Sequence, residues 1–130
     1  MRTLLIALLV MLAAPVLAQH GARQERYPDG RVKSTRYMKD GREYVFTYHP
    51  NGHLASTCEY VGGVRDGLWR SYDEQGRLLV HACFDQGRRC GTWEFFGEGS
   101  LRGRLSFADG VLASGQAYDA EGAVLATRDY

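Results

Sequence analysis

Proline is scarce here, with 3 residues in 130, and neither sign of charge dominates: 16 Lys and Arg stand against 15 Asp and Glu. The balance removes the electrostatic footprint that a nucleic-acid binder uses to neutralise phosphates, so no nucleic-acid partner is expected. Beyond the first 18 residues no segment sustains an i, i+3, i+4 apolar pattern, which leaves little room for helix. There is no glycine-rich phosphate loop, no nucleophile elbow and no Cys-x-x-Cys pair. An enzyme is therefore not expected, and neither is a cofactor or a metal. What the chain does have is glycine, 16 residues, and tyrosine, 8 residues, a mixture that suits short strands joined by glycine turns.

The N-terminus reads as an export signal. One positive charge at Arg2 precedes the apolar run Leu4 to Leu12, and Val16 and Ala18 are small residues at the −3 and −1 positions of a cleavage site. The run is shorter than the roughly 20 apolar residues of a membrane anchor. Residues 1–18 are thus expected to be a cleaved signal peptide and 19–26 a flexible segment. Residues 27–130 should form the folded domain, and the protein should be periplasmic or secreted. No Cys follows the cleavage point, so no lipid anchor is indicated. Loss of Arg2 leaves fifteen basic against fifteen acidic residues, a formally neutral mature chain.

The folded part repeats. Gly30, Gly52, Gly76, Gly99 and Gly122 follow one another at intervals of 22, 24, 23 and 23 residues. Two residues after each stands Val32, Leu54, Leu78, Leu101 or Val124, and Tyr60, Phe84, Phe107 and Tyr130 stand eight residues after the last four. Gly67-Leu68-Trp69 recurs as Gly91-Thr92-Trp93. About five units of two strands each predict an all-β antiparallel meander of hairpins, a single sheet of roughly eight to ten strands.

Period-2 alternation assigns the faces. Leu78, Val80, Ala82 and Phe84 should share an apolar side. A turn at Val61-Gly62-Gly63-Val64 sets Tyr60 opposite Arg65 and Ser56 opposite Trp69, which puts Trp69 with Leu54 and Tyr60. The same count about Asp85-Gln86-Gly87-Arg88 sets Trp93 opposite Val80 and Cys83 opposite Cys90. The expected repeat core is Leu54, Tyr60, Trp69, Leu78, Phe84, Trp93, Leu101 and Phe107. Thr57, Glu59, Arg70, His81, Arg102 and Arg104 fall on the wet side. In an exported chain, Cys83 and Cys90 in cross-strand register predict a disulfide, with Cys58 left as a small buried apolar residue.

The units resemble the MORN repeat, and more closely the bacterial MORN-variant repeats of YwqK-type antitoxins. The resemblance rests on Tyr48-His49-Pro50-Asn51-Gly52-His53-Leu54, on Gly63 to Tyr72 with its Gly67-Leu68-Trp69, and on Gly87 to Trp93. The fourth unit, Gly110 to Tyr118, lacks the tryptophan. The resemblance implies a curved single sheet that binds a partner protein, with a toxin-neutralising or immunity-like role. The alternative it implies is a membrane-associated scaffold on phospholipid headgroups. His49 and His53 flank a Pro-Asn-Gly turn and read as solvated turn residues. Arg102 and Arg104, beside Gly97, Gly99 and Gly103, are the candidate partner contacts.

Overall fold

The computed structural model describes residues 21–130, so the expected signal peptide lies outside the described residues. The chain forms one sheet of ten strands in sequence order, every neighbour antiparallel. The strands are β1 (Arg23–Arg26), β2 (Val32–Lys39), β3 (Arg42–Tyr48), β4 (Leu54–Val61) and β5 (Val64–Tyr72). They continue as β6 (Leu78–Asp85), β7 (Arg88–Gly97), β8 (Ser100–Ala108), β9 (Val111–Tyr118) and β10 (Val124–Asp129). The all-β meander expected from the repeat is what forms. The sheet starts earlier than expected, because Arg23–Arg26, within the segment expected to be flexible, pairs with β2.

Two kinds of turn alternate along the sheet. On one edge, two-residue turns join β2–β3, β4–β5, β6–β7 and β8–β9, as shown by the pairs Lys39↔Arg42, Val61↔Val64, Asp85↔Arg88 and Ala108↔Val111. Both central residues have positive φ, for example Gln86 at 48° and Gly87 at 82°. That is the primed turn whose twist matches the strands, and glycine at its second place avoids the Cβ clash. On the other edge, five-residue loops close with paired backbone bonds, such as His49 N–H to the His53 carbonyl and Gly52 N–H to the His49 carbonyl. The loops at 27–31, 73–77 and 119–123 repeat this pattern. The β7–β8 connection departs from it: Gly97 pairs with Ser100 across a tight Glu98-Gly99 turn.

A bulge follows each repeat glycine by three residues. Tyr48 pairs with Leu54 but Thr47 with Ser56; Tyr72 pairs with Leu78 but Ser71 with Val80; Phe96 pairs with Leu101 but Phe95 with Gly103. Ala55, Leu79 and Arg102 are the extra residues. This corrects the face assignment. Directly opposed residues share a face, so Leu54, Leu78 and Leu101 side with Tyr48, Tyr72 and Phe96. They lie across the sheet from Tyr60, Trp69, Phe84, Trp93 and Phe107. Leu78 accordingly does not share the face of Val80, Ala82 and Phe84.

A second irregularity, in β5 and again in β7, corrects two pairings. Trp69 faces Cys58 and not Ser56, which pairs with Ser71. Val80 faces Phe95 and not Trp93. In each case the Gly-x-Trp strand carries two residues more than its partner between consecutive pairs. Tyr60↔Arg65 and Cys83↔Cys90 hold as expected.

The described residues form one layer, and among them there is no deep core. Val45, Cys58, Ala82 and Phe84 are the buried apolar residues, and the expected core residues other than Phe84 are half-buried. The sheet thus has a tryptophan face and a tyrosine face, each with its own apolar strip.

Candidate functional site: the tryptophan face of β5–β8

The tryptophan face carries a contiguous aromatic row. Trp69 on β5, Phe84 on β6, Trp93 on β7 and Phe107 on β8 touch in sequence, with centroids 6.5, 5.2 and 5.3 Å apart. Trp69 and Trp93 also meet directly at 6.2 Å although a strand lies between them. They do so because the residue beneath is Ala82, only 1% exposed, whose methyl leaves room for the two indoles to close. Tilted and edge-on pairs at these distances add about 0.5–1.5 kcal/mol each beyond area burial. The Trp93 Nε1–H donates to the Cys83 carbonyl at 3.1 Å, which fixes that ring's rotation.

Two arginines lie over the row. The Arg65 guanidinium is 5.8 Å from the Trp69 ring and 5.2 Å from Phe84. Arg89, one repeat later, is 5.7 Å from Trp93 and 5.6 Å from Phe107. Both arginines are exposed, and among the described residues neither makes an ion pair or a side-chain hydrogen bond. Sequence reasoning puts Arg65 opposite Tyr60 but does not pair it with Arg89; the signal was that both hold the third place of the Gly-x-x-x-Gly-x-Trp element, 24 residues apart like Trp69 and Trp93.

Behind the row, on the tyrosine face, two hairpins are closed differently at equivalent positions. Cys83 and Cys90 form the expected disulfide, Cα to Cα 5.1 Å, and Cys58 is the buried free cysteine. One repeat earlier the same places hold Glu59 and Asp66, and Arg42 reaches both, at 3.3 Å and 3.0 Å. Arg42 Nη1 also donates to the Asp66 carbonyl. The Gln86 N–H donates to the second Asp66 carboxylate oxygen at 3.1 Å. That backbone bond first, and Arg42 second, hold the Asp66 carboxyl below the usual aspartate range. Gly67 has φ of 115°, and a Cβ there would stand 2.2 Å from Glu59 Oε2, so glycine is required beneath the clamp.

The five-residue loops are linked in a ladder. Tyr27 Oη donates to the Tyr48 carbonyl at 2.7 Å, and His49 Nε2, at the equivalent place, bonds the Tyr72 carbonyl at 2.8 Å. His53 Nδ1 bonds the Glu74 carbonyl at 2.7 Å, as Arg31 bonds that of Pro50. A carbonyl only accepts, so both histidines donate there. His53 is exposed at its turn as expected, His49 is half-buried, and both in addition tie one repeat to the next. The ladder stops at the third loop, where Arg77 turns back to Asp73 at 2.7 Å. Burial opposes the Asp73 charge, but hydrogen bonds from Arg77 and Gln75 outweigh it and hold the carboxyl below its ordinary range.

Arg102 and Arg104 are both engaged. Arg102 Nε donates to the Gly97 carbonyl at 3.4 Å, and its Nη2 is 3.7 Å from Glu98. Arg104 pairs with Glu94 at 3.1 Å on the tyrosine face, a bond that holds it more firmly protonated. The two guanidinium groups turn to different partners. Among the described residues no group of three metal-ligating side chains converges, and no helix is long and apolar enough to cross a membrane.

The MORN repeat variant family matches this sequence at residues 44–61 and 65–86, which span most of β3–β4 and β5–β6. The match covers less than half of the chain, and the meander is consistent with repeats of that kind. No curated protein matches the chain. Among solved structures, a mutant of S. aureus TarM bound to fondaparinux, α-GlcNAc-glycerol and UDP is similar over 67% of this chain and 18% of its own, with 3% identity and a TM-score of 0.46. The accessory secretory proteins 1, 2 and 3 of Streptococcus pneumoniae are similar over 77% of this chain and 19% of theirs, with 14% identity and a TM-score of 0.42. The chain spans less than a fifth of either.

Proposed function

We propose that this chain is a non-enzymatic, exported binding module that holds a partner protein against the tryptophan face of β5–β8. The observation that carries the reading is the aromatic row Trp69–Phe84–Trp93–Phe107 with Arg65 and Arg89 over it, on a sheet that no second layer covers among the described residues. Tryptophan and arginine are the residues over-represented at energetic centres of protein interfaces. A repeat lays like groups in rows, one per unit, which suits an extended contact and not the convergence of unlike groups that catalysis needs. MORN-type repeats in the middle of the sheet support a scaffold role. The Cys83–Cys90 bridge supports an oxidising compartment, periplasmic or extracellular. An antitoxin-like or immunity-like role is the specific form of this reading that the resemblance to YwqK-type repeats favours.

The test is chemical crosslinking of the exported protein in its own periplasm, with two charge reversals. Arg65→Glu with Arg89→Glu should remove the crosslinked partner, and Arg102→Glu with Arg104→Glu should retain it. The opposite pattern would move the contact to the β7–β8 hairpin. Co-sedimentation with anionic vesicles in place of a protein crosslink would favour the phospholipid reading.

A further inference from the structure

We infer that the tryptophan face is a receptor for an extended acidic polypeptide segment, read by Arg65 and Arg89 as two carboxylate sockets one repeat apart. The inference rests on the reading of this face as the partner-binding surface, and it adds the partner's chemistry. Each guanidinium is packed against two rings, within 5.2 to 5.8 Å of their centroids, which favours one orientation of an otherwise flexible side chain. Stacking uses the flat π-face and leaves the N–H donors around its rim free. Those donors have no acceptor among the described residues, so two exposed cations stand without compensation on an aromatic surface. A carboxylate is the group that meets such a fork with two parallel hydrogen bonds.

The spacing narrows the ligand. Arg65 on β5 and Arg89 on β7 are two strands apart, about 9–10 Å across the sheet, and Gly67, not Arg65, is in line with Phe84 and Arg89, so the two arginines stand roughly 11–12 Å apart along an oblique line. A polyproline-II segment advances about 9 Å in one three-residue turn and returns to the same side. Two glutamates at i and i+3 of such a segment, laid obliquely across the strands, reach both arginines because their side chains span the remaining few ångströms, while the residues between lie on Trp69, Phe84 and Trp93. Arg42 and Arg104, by contrast, are held by carboxylates of this chain, Arg42 by Glu59 and Asp66 and Arg104 by Glu94.

The probe is a fluorescein-labelled, proline-rich peptide with glutamates at i and i+3, titrated by anisotropy against the whole exported protein. The control peptide has glutamines in their place. The glutamate peptide should bind, and binding should weaken about tenfold with Arg65→Gln or with Arg89→Gln, as for truncation of one partner of an interfacial charge pair. Arg65→Lys should weaken it nearly as much, because lysine keeps the charge and loses the fork. Arg70→Gln, the same charge change on the other face, should leave binding unchanged. Equal binding of the glutamine peptide would overturn the carboxylate sockets and leave the face standing as a protein-binding surface. Absence of peptide binding together with binding to phosphatidylglycerol vesicles would overturn both. Binding of neither would overturn the acidic segment, and the crosslinking test would then decide the face itself.

Discussion

Hairpin β4–β5 is closed near its tight turn by charge, with Arg42 holding Glu59 and Asp66, whereas hairpin β6–β7 is closed at the same places by the Cys83–Cys90 bond. The strand pairing, the turn type and the tryptophan are shared between them. The repeat therefore fixes where a staple is needed, and the local residues decide its chemistry. The clamp depends on pH and on a third strand, since Arg42 comes from β3. The bond depends on redox state and is self-contained. One joins neighbouring repeats, and the other stiffens a single unit.

The largest effect expected is on what the two hairpins share. Trp69→Ala and Trp93→Ala should each cost about 2–3 kcal/mol in urea denaturation, below the about 3–5 kcal/mol of a fully buried aromatic because both rings are half-exposed. Since the indoles touch at 6.2 Å, the double variant should cost less than the two singles together. An additive result would mean that the hairpins are energetically separate.

Reduction comes next. Freeing Cys83 and Cys90 with a phosphine reductant, which needs no thiolate and acts at acid as well as neutral pH, should cost about 2–3 kcal/mol, the loop-closure entropy of so short a ring. The loss should be the same at pH 3 and pH 7. A thermal melt with and without reductant at both pH values checks it.

The clamp should behave in the opposite way. The Asp66 carboxyl in the folded chain lies below its ordinary value of 3.8, so its contribution is present above that pH and fades as pH falls toward the folded value. Asp66→Asn or Arg42→Met should lower the melting temperature at pH 7 by less than reduction does. Each should also flatten the fall in stability below pH 4. A pH-independent loss on Asp66→Asn would show that packing at Gly67, not charge, is what Asp66 supplies.

Much of this was legible in the residues. Glycine spacing gave the number and direction of strands, and the turn count about Gln86-Gly87 placed Cys83 against Cys90. The faces were less legible, because a bulge adds a residue without altering the 22–24-residue period yet resets the alternation. That is why Leu54, Leu78 and Leu101 crossed to the tyrosine face. Similarly, the histidine ladder joins side chains to carbonyls of the next repeat, and a carbonyl is present at every residue, so no motif marks it. Arg65 and Arg89 share one place in the repeated Gly-x-x-x-Gly-x-Trp element, but the rings they lie over follow from the register and not from the motif.

The smallest expected effect tests the comparison most directly, by moving one staple into the other's place. Glu59→Cys with Asp66→Cys puts thiols at positions equivalent to Cys83 and Cys90, whose Cα atoms are 5.1 Å apart, within the usual range for a bridge. With oxidised glutathione as the two-electron acceptor the pair should form a disulfide, and a free-thiol assay should then find Cys58 as the one reactive cysteine after denaturation. The new ring is as short as the native one, so its gain should be about 2–3 kcal/mol. Against that stand the loss of both Arg42 ion pairs and of the Gln86 hydrogen bond, and an Arg42 guanidinium left with only the Asp66 carbonyl position. The net change in melting temperature should therefore be small. Adding Arg42→Met to the bridged variant should raise it, because a stranded cation is replaced by an apolar side chain of similar length. If the two cysteines stay reduced in the folded protein, the two hairpins differ in backbone as well as in chemistry, and the equivalence drawn between them fails.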